Sequence, residues 1–228
     1  MGTITAQSII NKAAIQLTDI GNIRWTRAEL LGWLNDGQRQ IVIMSPNATN
    51  KLSTVQLDVG TRQHIPSDGW TLLEVIRFMG TDGTKPGRAV RLTSRELLDS
   101  FNPDWHADTA TTVPKHYIFD GQDQTAFFVY PPNNGKGYIE VNYSPVPVDL
   151  ASESSTISLN DIFETSLLDY VLYRACSKDA EYAPGLALAA GYLQTFMTSM
   201  GVKSQSELGN SPNQQFMPKD SSKPGSQS

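Results

Sequence analysis

The stretch WTRAELLGWLNDGQRQIVIM, Trp25 to Met44, constrains the fold more than any other. Leu30, Leu34, Gly37, Ile41 and Met44 recur at steps of four, three, four and three, the spacing of one helical face. That period runs through Asn35-Asp36-Gly37, a triplet that in isolation reads as a turn. One continuous helix is therefore predicted, with Gly37 on its buried face. A glycine inside a helix costs roughly 1 kcal/mol relative to alanine, so its presence implies close approach by another backbone. Thr26 and Glu29 form a capping box at the helix start, and Trp25 and Leu30 stand at the positions of a hydrophobic staple. Leu31 and Val42 lie about a third of a turn off the stripe. The helix is thus predicted to pack on two sides, as the centre of a bundle or with one side toward a neighbouring subunit.

The rest of the chain divides by periodicity. A first helix is predicted from about Thr5 to Leu17, with Ala6, Ile10, Ala13 and Leu17 on one face. From about Lys51 the pattern becomes alternating: Val55, Leu57 and Val59, then runs at 72–78, 88–92, 116–119, 125–130 and 137–143. Asp120-Gly121 and the segment Asn133–Gly137 read as hairpin turns. Thr93 and Glu96 read as a second capping box, opening a short helix to about Phe101. After Pro145 and Pro147 helical spacing returns. Ser158 is expected to cap a helix carrying Phe163, Leu167, Val171 and Ala175, with Ile157 and Ile162 as its staple. Pro184 suits the first turn of a last helix, along which Ala187, Ala190 and Gly191 offer a small-residue surface.

These segments predict an α+β fold: a helical bundle built from both ends of the chain (1–48 and 155–203), with a meander-type antiparallel β domain and one short helix inserted at 49–154. Residues 204–228 are expected to form an extended C-terminal tail. This segment is too polar to fold alone, so its ordering would require another chain. Gln214, Gln215, Phe216, Met217 and Lys219 are its candidate partner-binding residues. Leu31, Gly37, Val42, Ala187 and Gly191 are the candidates for subunit or helix packing.

Composition excludes several functions. The net charge is −5, against the Lys/Arg excess that tight phosphate binding requires. Cys176 is the only cysteine and lies in an apolar helical pattern, as a buried hydrophobe would. No leader and no membrane-length apolar run is recognised, so synthesis in the cytoplasm is expected. His64, His106 and His116 lack metal-ligand spacing. The segment Gly80–Gly87 has Pro86 where a phosphate loop needs Ser or Thr. Asp104-Trp105-His106-Ala107-Asp108 gathers acid, aromatic and base, and reads better as a loop anchored by Trp105 than as a hydrolase site. No catalytic, cofactor-binding or metal residues are assigned.

Glu29–Arg39 resembles the helix that opens the head-to-tail adaptor (connector) proteins of short-tailed bacteriophages. The similarity continues through Arg95–Asp99, Pro103–Trp105, His116–Asp120, Phe127–Pro132 and Ile139–Pro145, from about residue 3 to 200. Each motif alone is weak; their order and spacing are more specific. The resemblance implies a non-enzymatic virion protein at the head-tail junction. Such proteins form a ring, usually of about twelve copies, beneath the capsid portal. The ring extends the channel for double-stranded DNA without binding it specifically, and supports the tail tube or nozzle. The alternatives are another tail or fibre-attachment component, or a hydrolase using the Asp104–Asp108 loop.

Overall fold

The computed structural model describes residues 2–178 and 183–209. It is a mixed α+β protein with helices at both ends of the chain and two sheets between them. Helix α1 spans Ala6–Gln16 and α2 spans Arg27–Met44. Thr26 caps α2 through a complete capping box: the Thr26 N–H donates to Glu29 Oε2 at 3.0 Å, and the Thr26 hydroxyl accepts from the Glu29 N–H. The helix continues unbroken through Asn35-Asp36-Gly37. Helices α4 (Glu164–Lys178) and α5 (Ala183–Gly209) follow the sheets. Ile10, Leu34, Ile41, Leu167, Val171 and Phe196 belong to one apolar core that draws on α1, α2, α4 and α5.

What Gly37 meets differs from the expectation. A Cβ built there would stand 3.0 Å from Tyr170 Cδ1 and 3.3 Å from Leu167 Cδ2, both side chains of α4. The missing side chain makes room for an aromatic ring and a leucine, not for a second backbone.

Polar side chains of α2 also fasten the segment that leads into α4. The Leu150 N–H donates to Asn35 Oδ1 at 2.8 Å, and the Ser158 N–H donates to Gln38 Oε1 at 2.8 Å. Arg27 pairs with Glu153 at 2.6 Å, and that bond holds the Glu153 carboxyl below its ordinary pKa. Gln38 is almost wholly buried. Gln38→Leu would keep the volume and strand the Ser158 N–H. A buried donor without an acceptor costs about 1–3 kcal/mol. Urea unfolding measures that loss; an unchanged midpoint would mean that water replaces the amide.

The sheets arise from two long segments that pair antiparallel along their length. One contains β1 (Lys51–Gln56) and β2 (Val59–His64); the other contains β6 (Ala126–Asn134) and β7 (Tyr138–Pro145). Lys51 faces Tyr143 at one end and His64 faces Ala126 at the other. Midway, where the Leu57 N–H donates to Gly137 O at 2.9 Å, both segments pass from one sheet to the other. Gly135 serves this passage with φ +80°, in the region that disfavours side chains. With β3 (Gly69–Phe78), β4 (Arg91–Leu92) and β5 (His116–Phe119), the sheets are ordered β1-β7-β3 and β2-β6-β5-β4. Leu57, Val75, Tyr117, Phe127, Val141 and Tyr143 belong to the core they share.

This arrangement corrects the predicted meander. Val55 and Val59 sit in different strands, and Val59 is exposed. The Asn133–Gly137 turn joins strands of different sheets, not hairpin partners. β4 runs parallel to β5, and residues 88–90 just before it cross to β3: the Phe78 N–H donates to Arg88 O and the Val90 N–H to Ile76 O. The β5–β6 hairpin is as predicted, with Phe119 opposite Phe127.

Two caps also move. The short helix α3, Arg95–Phe101, is capped by Ser94, whose hydroxyl accepts from the Leu97 N–H at 3.2 Å. Thr93 is still tied to the sheet, its N–H donating to Tyr117 O. Ser158 does not cap α4, because its hydroxyl donates to Val148 O and its N–H to Gln38. Asn160 instead caps the turn Asp161–Phe163 that leads into α4, and the exposed Ile162 forms no staple. Finally, α5 runs to Gly209, past Ser204, where the tail was expected to begin. No glycine or proline stands between Val202 and Leu208 to end it.

Candidate assembly surfaces

The loop suspected of chemistry is held by packing. Trp105 is fully buried, and its Nε1 donates to Asp99 Oδ1 on α3 at 2.8 Å. Its ring stacks on His106 with centroids 3.6 Å apart, and meets Phe128 and Tyr130 of β6 edge-on. His106 Nδ1 lies 2.8 Å from the Thr61 hydroxyl on β2, and Asp108 accepts from Asn102 Nδ2. Each polar group of the motif except Asp104 thus has a structural partner. His106 and Asp104 lie exposed on the outer side of the four-stranded sheet. His64 and His116 lie on β2 and β5, and among the described residues no His/Cys/Asp/Glu group could hold a metal ion.

The candidate packing residues separate into two classes. Val42 and Gly37 are buried, and Leu31 packs partly buried against the helical core. Ala187 and Gly191 are exposed on α5, and a Cβ at Gly191 would meet open space. Around Gly191 a shallow groove is lined by Gln194, Thr195, Thr198 and Ser199. Leu186, Leu188, Met197 and Val202 are exposed on the same helix. Gln214, Gln215, Phe216, Met217 and Lys219 lie outside the described residues.

One surface was not singled out from the sequence. No residue of α3 is buried; Leu97 and Phe101 on α3, Leu92 on β4 and Phe119 on β5 are all exposed. Leu92, Arg95, Ile118 and Phe119 line a groove between α3 and the sheet. A signal was available: Lys85, Arg88, Arg91 and Arg95 follow one another without an acidic residue among them.

Among the described residues no helix is long and apolar enough to cross a membrane. No curated protein matches the chain. The family model described as SU10 adaptor protein matches residues 4–215, which takes in both sheets and the five α-helices of the described residues. That span includes the α2 capping box, the Trp105 loop and the bent strand pairs. The chain belongs to the SU10 adaptor protein family, a family of phage head-to-tail adaptors.

Proposed function

We propose that this adaptor assembles as a ring beneath the capsid portal, extends the DNA channel and provides the platform on which the tail is built. The family match over residues 4–215 carries this reading. Within it, residues 1–48 and 155–203 act as a helical bundle and 49–154 as an inserted β domain. Ala187 and Gly191 on α5 face a neighbouring copy, where small side chains allow close approach. Leu31, Gly37 and Val42 hold α2 in place within the subunit. The segment after Gly209, with Gln214, Gln215, Phe216, Met217 and Lys219, reaches the portal or an adjacent copy.

The charge balance supports a passage for DNA. A net charge of −5 leaves no overall cationic excess to hold phosphates, which suits DNA moving through without being gripped. The role is structural: the Asp104–Asp108 loop carries the packing of α3 and not a reaction.

The test is native mass spectrometry of purified protein mixed with the portal ring of its own phage. Saturating addition of a ring-like number of copies, near twelve, is the expected result. A portal mass that stays unchanged in the presence of folded protein would overturn portal docking. Deleting residues 210–228 should then leave the fold intact and weaken loading. Equal loading by the deleted form would remove the tail from the contact.

A further inference from the structure

Open strand edges recruit other strands, so proteins protect them with bulges, charges, shortness or a covering segment. The edges here are β1 and β3 of one sheet, and β2 and β4 of the other. β2 has a register shift between Gly60 and Arg62, Gly60 at φ +104°, and the charged Arg62. β3 has register shifts at Gly69/Thr71, Leu72/Glu74 and Val75/Arg77. Residues 87–90 also cover its C-terminal end, where the Gly87 N–H donates to Phe78 O at 2.7 Å. β4 is only 2 residues long.

β1 has none of these protections. It pairs with β7 in one unbroken register, and Leu52-Ser53-Thr54-Val55-Gln56 contains no charge, glycine or proline. The charges flanking it are paired: Lys51 with Asp68, and Glu140, opposite Thr54, with Arg77. The Leu57 N–H donates to Gly137 O, and main-chain bonding alternates along an antiparallel pair. Ser53 and Val55 therefore bond to β7, while Leu52, Thr54 and Gln56 point their main chain away from it. All three are exposed, and among the described residues no strand lies beside them. The edge has an apolar residue on each face. Leu52 is 58% exposed on one; Val55 is half-buried against the β core on the other.

We propose that Asn213–Met217 of a neighbouring copy adds to this edge as a further strand, beside Leu52–Gln56. Within residues 210–228 this is the one window without charge, glycine or proline that is long enough to cover the open edge. Pro212 and Pro218 bound it, and a proline has no N–H with which to continue a ladder. Phe216 and Met217 are consecutive, so in an extended strand they fall on opposite faces, as Leu52 and Val55 do. The place where the segment starts suits this contact. α5 runs antiparallel to α4, with Phe196 against Tyr170, Ser199 against Ser166, and Lys203 Nζ 3.1 Å from the centre of the Phe163 ring. α2 also runs antiparallel to α4, from Trp25 at Ala175 to Gly37 at Leu167. Hence α5 ends at the same end of the bundle as α2, where the chain turns through Pro46–Thr49 into β1. In the ring reading above, on which this proposal rests, α5 borders the next copy. The segment it releases therefore starts at that interface, at the end where β1 begins.

Strand-breaking substitutions in the full-length chain test it. Thr54→Pro removes one outward N–H and spares the bonds to β7, and Gln215→Pro breaks the added strand. Thr54→Lys, which only places a charge on the exposed edge, takes the place of Thr54→Pro if that variant lowers Tm. Copies loaded onto the portal ring of the phage are counted by native mass spectrometry. Each single variant should load about tenfold more weakly. The double variant should load no more weakly than either, because both changes remove one contact. In a second measurement, chains carrying only Thr54→Cys are mixed on the portal ring with chains carrying only Gln214→Cys or Gln215→Cys. Cys176 is buried and does not compete. Mild oxidation should give a mixed disulfide, which can form only across copies. Wild-type loading by the Thr54 or the Gln215 variant, additive losses in the double variant, or no mixed disulfide with either partner would overturn this contact and leave the ring reading standing. Failure of the wild type itself to load would overturn both.

Discussion

Replacing Trp105 by alanine is expected to cost about 3–5 kcal/mol, the loss found for large aromatic side chains removed from a core. Trp105 is fully buried and contacts His106, Phe128 and Tyr130. Its Nε1 is also what ties the loop to Asp99 of α3. No residue of α3 is buried, so the short helix depends on such contacts for its position. Arg95 adds one more, with its guanidinium 5.8 Å from the Phe128 ring centroid. Urea unfolding should show the loss as a lower midpoint with little change in slope. Trp105→Phe provides the control, because it keeps most of the packing and loses the Asp99 bond, a change worth about 1 kcal/mol. If Trp105→Ala were as mild as Trp105→Phe, the loop would not depend on the indole.

Gly37→Leu is the second large effect, expected at about 1–3 kcal/mol or more from overpacking. The Cβ alone would lie 3.0 Å from the Tyr170 ring and 3.3 Å from Leu167, so three further carbons have no room unless α2 and α4 separate. Those helices share the core that also contains Leu34, Ile41, Val171 and Phe196. Gly37→Ala is a different case. It gains about 1 kcal/mol of helix propensity, while the Tyr170 ring must yield by only a few tenths of an ångström. The two terms nearly cancel, so its Tm should stay close to that of the wild type. Equal Tm values for Gly37→Leu and Gly37→Ala would show that the α2–α4 contact is loose at this position.

The start of α2 was legible from residue types alone, because its signal is local. Thr26 and Glu29 are three residues apart and complete each other's hydrogen bonds, so no distant partner is required. The continuity of α2 through Asn35-Asp36-Gly37 was legible too, since the apolar period outweighs a turn-like triplet when one face is buried. The β5–β6 hairpin followed from its short connection. The mixed α+β class followed from the change of period at Lys51 and again after Pro147.

Partnership between distant segments was not legible. Alternation states that a segment is a strand but not which strand lies beside it, and Lys51–Gln56 finds Tyr138–Pro145 far along the chain. The same gap hid the passage between sheets at Leu57 and Gly137, which depends on two remote segments turning together. Ser158 failed as a cap because Gln38 and Val148 claimed its polar groups, and Gln38 lies far away in sequence. Gly37 was rightly read as buried, while its neighbours, Tyr170 and Leu167, belong to another helix. Local hydrogen bonds and periodicity set where elements begin and which face is apolar; strand neighbours, close contacts and surface charge depend on long-range pairing, which leaves no mark on nearby residues.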